Sequence, residues 1–515
     1  MSSNIKFAGY PDAFVYIEPN EHSKWVNHLL WGEWVQIIEE NGDWVKVNVR
    51  GAKDGWMQKI HLQEDKLVEL YFVDIGQGDG CLAIFPDGKT NEGIPKDRTM
   101  LIDAGQNDNM LRFINWKFNT KNVENPPFKF DDVIISHSDA DHYGGFQAIF
   151  ENLRFEFKKV YHNGLVERSI GESLGGHEKI GKLTYQTDVI ETPEQLEKII
   201  SNPAAIGKRL YPKLMKTAAG RGAKICMMCN EDKFIPDFGE NSEIKIRVLA
   251  PVVEKLEQYG SKRLLRRFKS NDGKTKNGHS VVLRLEYGNV KILLGGDLNV
   301  PSENFLLEHY GKTDPKTKDL VKLKELVSEA NKYFGADVAK ACHHGSGDFS
   351  TTFLRAVNAA ATIVSSGDDE PHCHPRPNTL GALGKYGRGE FPLIFSTEMA
   401  RSAKEKIKWP SEIKKEIEYL QNELLKLASE IDSEKKAKKE LQLEKKKKDL
   451  FLKIGRTVEV YGMINVRTDG KKILIAQKLE QVSDRGLWDI HLLEPVEQED
   501  GTTILVYADN MEKHE

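Results

Sequence analysis

Four side chains able to ligate a metal fall within six residues: His137, Asp139, Asp141 and His142, in the run Ser136-His137-Ser138-Asp139-Ala140-Asp141-His142. The run follows the apolar stretch Val133-Ile134-Ile135 and leads into Tyr143-Gly144-Gly145. No regular helix or strand aims residues at these spacings at one point. A tight loop at a strand end does. The chain must therefore build a strand, a sharp loop, and a frame that brings further ligands to it. Such ligands stand near the ends of later strand-like stretches: His279, Asp297 after Lys291-Ile292-Leu293-Leu294-Gly295-Gly296, and the pair His343-His344. Imidazole and carboxylate together suit zinc or manganese, and the layout reads as a two-metal hydrolase centre.

From about 67 to 400 the chain alternates strand-like and helix-like stretches, which predicts a layered α/β domain. Leu67 to Val73 reads as a strand ending in Asp74-Ile75-Gly76-Gln77-Gly78-Asp79. Cys81 to Phe85 and Thr99 to Ile102 read as two more, the second ending at Asp103-Ala104-Gly105. Residues 180 to 240 are poorly patterned and read as an insertion. Ahead of this domain, Phe14 to Ile17, Trp34 to Ile38 and Trp44 to Val47 read as short strands, with Asn41-Gly42-Asp43 as a hairpin turn. Behind it, Ile413, Ile417, Leu420, Leu424, Leu427 and Ile431 step by four and three, a heptad seam that fades into a lysine-rich run. It predicts a coiled coil, pairing two chains or folding back within one; a single solvated helix is the plain alternative. Thr457 to Ile464, Lys472 to Ala476, Trp488 to Leu492 and Thr503 to Tyr507 predict a small β module for docking or dimerisation. The expected division is 1–65, 66–402, 403–453 and 454–515.

In order along the chain, Asp74 to Asp79, Leu101-Ile102-Asp103-Ala104-Gly105, Ser136 to Gly145, Gly296-Asp297 and His343-His344-Gly345-Ser346 resemble the metallo-β-lactamase fold superfamily. Within it they are most similar to the ComEC-like branch of competence-protein hydrolases, over about 67 to 400. The general motif has His where this chain has Asp139, and that branch commonly carries Asp there. The placing of Gly32, Trp34, Gly42, Trp44 and Gly55-Trp56 resembles a bacterial SH3-like barrel, whose tryptophans form a binding surface or fill a small core. Together these resemblances and patterns imply an α/β fold: a metallo-β-lactamase αββα sandwich with an N-terminal SH3-like β-barrel, a coiled-coil helix and a small C-terminal β module.

The same resemblance implies two divalent ions, zinc or manganese. One would be held by His137, Asp139, His279 and Asp297, the other by Asp141, His142, Asp297 and His344, with Asp297 bridging. Either His343 or His344 would complete the second site; His344, directly before Gly345, is preferred, and His343 then contacts substrate. Asp103 would orient the motif loop, Asp74 and Asp79 would shape the first hairpin without binding metal, and His162 would be a surface or loop histidine. In Asp368 to Pro375, Cys373 stands where the branch often has glycine, and His374 would bond a phosphoryl oxygen or act as general acid, or serve structure alone. Asp141, Asp297, His343 and His374 are the residues expected to carry the chemistry.

Two ions about 3.5–4 Å apart can activate a shared hydroxide for attack on phosphorus. The expected activity is metal-dependent phosphodiester hydrolysis, with DNA as the leading substrate. Lys262, Arg263, Arg266, Arg267 and Lys269, followed by Lys274 and Lys276, form a helical-looking basic cluster before His279 that could meet nucleic acid. A small-molecule phosphodiesterase and a non-catalytic assembly protein are the alternatives. The formal net charge of −4 gives no global pull toward polyanions. Five cysteines in 515 residues do not make a disulfide framework, and Cys226-Met227-Met228-Cys229 is a lone CxxC expected to hold ordinary thiols. No stretch approaches the roughly 18 apolar residues of a membrane span, and the N-terminus lacks a signal-peptide core. A cytoplasmic protein is expected, with a homodimer or partner protein held through the coiled coil and no membrane association.

Overall fold

The strand Val68–Phe72 is buried along its whole length, as an apolar run covered on both faces requires. Leu70 and Phe72 pack toward a second sheet, while Tyr71 and Val73 face a layer of helices. The computed structural model containing this strand describes residues 4–90, 94–120, 126–367, 373–397, 410–427, 433–456, 463–483 and 486–508.

Two sheets face one another across a shared apolar core to which Leu70, Phe85, Leu283, Ile292, Ile363 and Ile464 contribute. The six-stranded sheet runs Ile244–Ala250, Val282–Tyr287, Val290–Leu294, Val338–Lys340, Ala361–Val364 and Leu393–Ser396. The other has ten strands, in the order Lys224–Met227, Phe155–His162, Phe128–Ile134, Pro95–Ala104, Gly80–Lys89, Val68–Phe72, Ile464–Thr468, Ile473–Ser483, Gly486–Glu497 and Thr503–Tyr507. Helices Asn109–Phe118, Phe146–Glu151 and Leu210–Gly220 cover its outer face through Phe113, Phe146, Phe150, Leu214 and Met215. Helices Val300–Gly311, Leu320–Phe334 and Thr351–Val357 cover the other sheet through Phe305, Leu326, Phe334 and Phe353. The result is an αββα sandwich.

Two expectations change. The stretch 180–240 is no insertion: Leu210–Gly220 belongs to the helix layer and Lys224–Met227 is the edge strand of the larger sheet. Its helix Pro193–Ile200 carries a capping box between Thr192 and Gln195, a start signal present in the sequence.

The C-terminal strands are not a separate module either. Ile464–Thr468 pairs antiparallel with Val68–Phe72, Ile464 opposite Phe72 and Thr468 opposite Val68. Without this partner Val68–Phe72 would be an exposed apolar edge.

The heptad seam folds back within the chain. Helices Pro410–Lys426 and Ser433–Arg456 pack together through Ile417, Leu420, Leu443 and Leu450, and Lys446 lies 3.9 Å from Glu416. The lysine-rich run is thus the second arm of a helical hairpin. The side chains of Ile413 and Ile431 lie outside the described residues.

Residues 5–63 form a seven-stranded antiparallel sheet with its own core of Val15, Val35, Val45, Val47 and Met57. The hairpin turn at Gly42 takes φ +57°. Of its tryptophans, Trp31 is buried and donates to Gln63 Oε1 at 2.7 Å, whereas Trp34 is exposed. Arg467, fully buried, ties this unit to the sandwich: it donates to the Trp31 carbonyl at 2.8 Å and the Tyr71 hydroxyl at 3.1 Å, with Glu33 and Glu69 each at 3.6 Å. No helix among the described residues is long and apolar enough to cross a membrane.

Candidate metal centre

The centre lies at the strand ends. Behind Phe128–Ile134 the chain turns through Ser136 to Asp139 into the short helix Ala140–Tyr143. Asp103, at the end of the adjacent strand Pro95–Ala104, accepts the Ser136 amide at 2.8 Å and its hydroxyl at 2.6 Å, and faces His142 Nδ1 at 2.8 Å. The loop Asp74 to Asp79 closes over this turn. A Cβ on Gly78 would fall 1.7 Å from the Asp141 carbonyl oxygen, and its φ is +106°. Only glycine permits that approach.

Four donors converge. His142 Nε2 and His344 Nε2 lie 3.3 and 3.2 Å from Asp297 Oδ2, and His344 Nε2 lies 3.6 Å from Asp141 Oδ2. An ion with ligand bonds of about 2.0–2.1 Å has donors roughly 3.3–3.4 Å apart along each tetrahedral edge. The three separations fit that figure. His142 Nε2, His344 Nε2 and Asp297 Oδ1 are buried without a hydrogen-bond partner, which a bound cation would remedy. The residues therefore fit a divalent ion.

Each histidine is turned by a carboxylate behind it. Asp103 stands behind His142. Asp79 Oδ1 stands 3.1 Å from His344 Nδ1, which also lies 3.1 Å from the Ser365 carbonyl. Asp79 sits within 4.8 Å of the donor atoms as well, but it meets the ring nitrogen that points away from them, and the buried Lys340 ammonium holds it. It is placed to orient the His344 ring. Burial works against both carboxylates, yet Lys340 and His344 bring Asp79 down to about 2, and His344, His142 and His343 hold Asp297 well below the usual range. Burial is likewise overcome at His142, where Asp297 and Asp103 draw the ring toward its charged form. The carboxylates are thus held in the ionised form that a cation would take. His343 and His344 both adopt left-handed backbone, φ +50° and +53°, a strain of about 1–3 kcal/mol each that functional loops commonly carry.

The other predicted residues are placed differently. His343 is partly exposed, its Nε2 3.9 Å from Asp297 Oδ2, and faces the cleft with the His374 ring 5.6 Å away. His137 is fully buried and its Nε2 points at Asp139 Oδ2 across 3.6 Å. Asp139 is paired with Lys276. His279 is not at the centre. Its Nε2 bonds the Arg266 carbonyl at 2.7 Å, its ring stacks on Phe268 at 4.9 Å, and burial lowers it to about 4. Its neighbours reach in instead. Ser280 Oγ lies 3.2 Å from His137 Nδ1 and accepts the Asp297 amide at 2.9 Å. With its amide oriented to satisfy both ends, Asn277 donates to Asp139 Oδ2 at 2.8 Å. His162 is not a surface residue but is buried, accepting the Gly164 amide at 3.0 Å.

Lys340 was not anticipated, though a lysine inside the apolar strand Val338–Lys340, three residues before His343, is a legible signal. Residues 262–269 of the basic cluster are not helical, Lys274 and Lys276 stand on the short helix Asp272–Gly278, and the charges are largely neutralised. Arg263 pairs with Glu231 at 3.0 Å, Arg266 with Glu254 at 2.8 Å, Arg267 with Asp272 at 2.6 Å and Lys274 with Asp348 at 2.9 Å. Cys226 and Cys229 are free thiols, the latter buried.

Residues 94–342 match the sequence profile of the Metallo-beta-lactamase superfamily. The chain carries the metallo-β-lactamase superfamily fold. Solved structures similar to it include Tm1679, a metal-dependent hydrolase of the β-lactamase superfamily, at 12% identity over 64% of this chain and 95% of that one, TM-score 0.27. Another is Zn(2+)-bound PqqB from Methylobacterium extorquens, at 11% identity over 64% and 97%, TM-score 0.29. No curated relative matches the chain. With the metallo-β-lactamase fold and its buried acid–histidine cluster, the protein is a metal-dependent hydrolase.

Proposed function

We propose that this hydrolase cleaves phosphodiester bonds, with DNA as substrate and zinc or manganese as its ion. The observation that carries the reading is the cleft above the converging donors. It has a volume of about 420 Å³, and Gln77, Lys274, Asn277, Asn299, His343 and His374 are among its walls. Amide, imidazole and ammonium groups suit the oxygens of a phosphate ester and offer little to an apolar acyl group. Asp141, His142, Asp297 and His344 would hold the ion. Once bound, a divalent ion there supplies Lewis acidity and makes water acidic enough to deprotonate near neutral pH. Asp103 and Asp79 fix the ring planes of His142 and His344. His343 is placed to bond a non-bridging phosphoryl oxygen, and His374, across the same cleft, to protonate the leaving oxygen.

A second reading, a small-molecule phosphodiesterase, is favoured by the ion-paired arginines, which leave little charge beside the cleft for a polynucleotide track. Positive charge lies elsewhere, at the exposed Lys438, Lys439 and Lys445 of the helical hairpin. The test is cleavage of linear, circular and single-stranded DNA with added manganese or zinc, beside bis-(p-nitrophenyl) phosphate and an Asp297→Asn protein. Metal-dependent DNA cleavage lost in the variant is the expected result. Cleavage of the small diester alone moves the assignment to the second reading.

A further inference from the structure

We infer that the centre holds one divalent ion, not two, and that the Lys276 ammonium replaces the second as the counter-charge of Asp139. This rests on the reading of the site as a metal-dependent centre and concerns how many ions that centre takes.

The two halves of the site are unequal. In the half built by Asp141, His142, Asp297 and His344, three donor separations of 3.2–3.6 Å outline one coordination shell. The half implied by resemblance, His137, Asp139, His279 and Asp297, keeps one such edge, from His137 Nε2 to Asp139 Oδ2 at 3.6 Å. His279 is spent on the Arg266 carbonyl at 2.7 Å. Both oxygens of Asp139 also have partners: Oδ1 faces the Lys276 ammonium, and Oδ2 receives the Asn277 amide at 2.8 Å. Lys276 is itself anchored, with Glu167 Oε1 at 2.9 Å on its other side and only 14% of its side chain exposed. A protein site for zinc ordinarily supplies three or four ligands. This half offers His137 and a share of Asp297, beside a fixed positive charge that repels a dication.

The helix Asp272–Gly278 accounts for the exchange. Its last turn puts Lys276 and Asn277 against Asp139, and the chain then leaves so that Ser280, not His279, faces the metal loop. An aspartate at position 139 is what lets a lysine pair there, since an imidazole would not.

The test is metal stoichiometry. The whole chain is equilibrated with excess Mn²⁺ or Zn²⁺, freed of unbound ion, and assayed for metal per chain, with electron paramagnetic resonance of the manganese form beside it. One ion per chain and an uncoupled manganese spectrum are expected. Two ions, or the spectrum of an exchange-coupled pair, would overturn the inference while leaving the hydrolase reading intact. No bound ion would overturn both. Asp139→Asn is expected to keep the single ion, and its loss would make Asp139 a ligand and the inference wrong. Lys276→Met is expected to admit a second, weaker ion and introduce the coupled signal. A variant still limited to one would overturn the role given to Lys276.

Discussion

A methyl group on Gly78 has nowhere to go. It would meet the Asp141 carbonyl oxygen at 1.7 Å, from a backbone at φ +106°. Gly78→Ala should therefore cost at least about 1–3 kcal/mol from strain alone and weaken ion binding by shifting Asp141. Urea denaturation and a metal titration check the two effects, and a variant with wild-type values in both would refute the close approach. At this scale the donors of the first loop are legible because their spacing admits no regular structure. His279 was not, because a helix end decides which of Asn277, His279 and Ser280 faces inward. That rotation depends on Phe268 and Arg266, which arrive through tertiary packing. Lys340 was missed for a related reason: a buried lysine makes sense only once Asp79, some 260 residues away, is beside it.

Among elements, the strand Ile464–Thr468 carries Arg467, the largest fully buried side chain among the described residues. Arg467→Met would leave Glu69 buried without one of its cations, and removing one partner of a buried pair typically costs about 3–5 kcal/mol. Chemical denaturation reads this directly. A change under about 1 kcal/mol would show that Lys117, 3.1 Å from Glu69, suffices alone. The helical hairpin should respond otherwise. Leu420→Asp puts a charge into the Ile417, Leu443 and Leu450 contact, so helical circular dichroism should fall while metal content stays unchanged. Loss of metal in that variant would tie the hairpin to the centre. The period of four and three identified the first helix from sequence. The second was read only as part of the same helical segment, since its lysines mask a sparse apolar stripe at Leu443 and Leu450.

For the whole molecule, pH acts on stability through Glu303, which is fully buried and accepts the Ser350 amide. Burial raises its carboxyl to about 8, above its ordinary value near 4.3. The folded chain thus binds a proton that the unfolded chain releases. The stability this gives is complete below about 4.3 and is lost as pH rises through about 8. Glu303→Gln should remove that decline, so that melting temperatures of the two proteins converge in acid and separate in base. Parallel curves would assign the pH dependence elsewhere. The layered α/β core was legible as alternating strand and helix patterns, because each pattern is local. The joining of the last strands to the sixth strand of the larger sheet was not, because no local signal records a pairing across most of the chain.

That pairing sets an order of events. Phe72 leaves the ribosome about 390 residues before its partner Ile464, which at about 5–20 residues per second is on the order of 20–80 s of synthesis. Throughout that interval the nascent chain displays an unpaired apolar strand, a ready target for chaperones and for neighbouring copies. Translation that stops within the helical hairpin leaves the metal loop already made but its sheet unfinished. The edge is closed only when Ile464–Thr468 pairs with it, after the metal loop has been made.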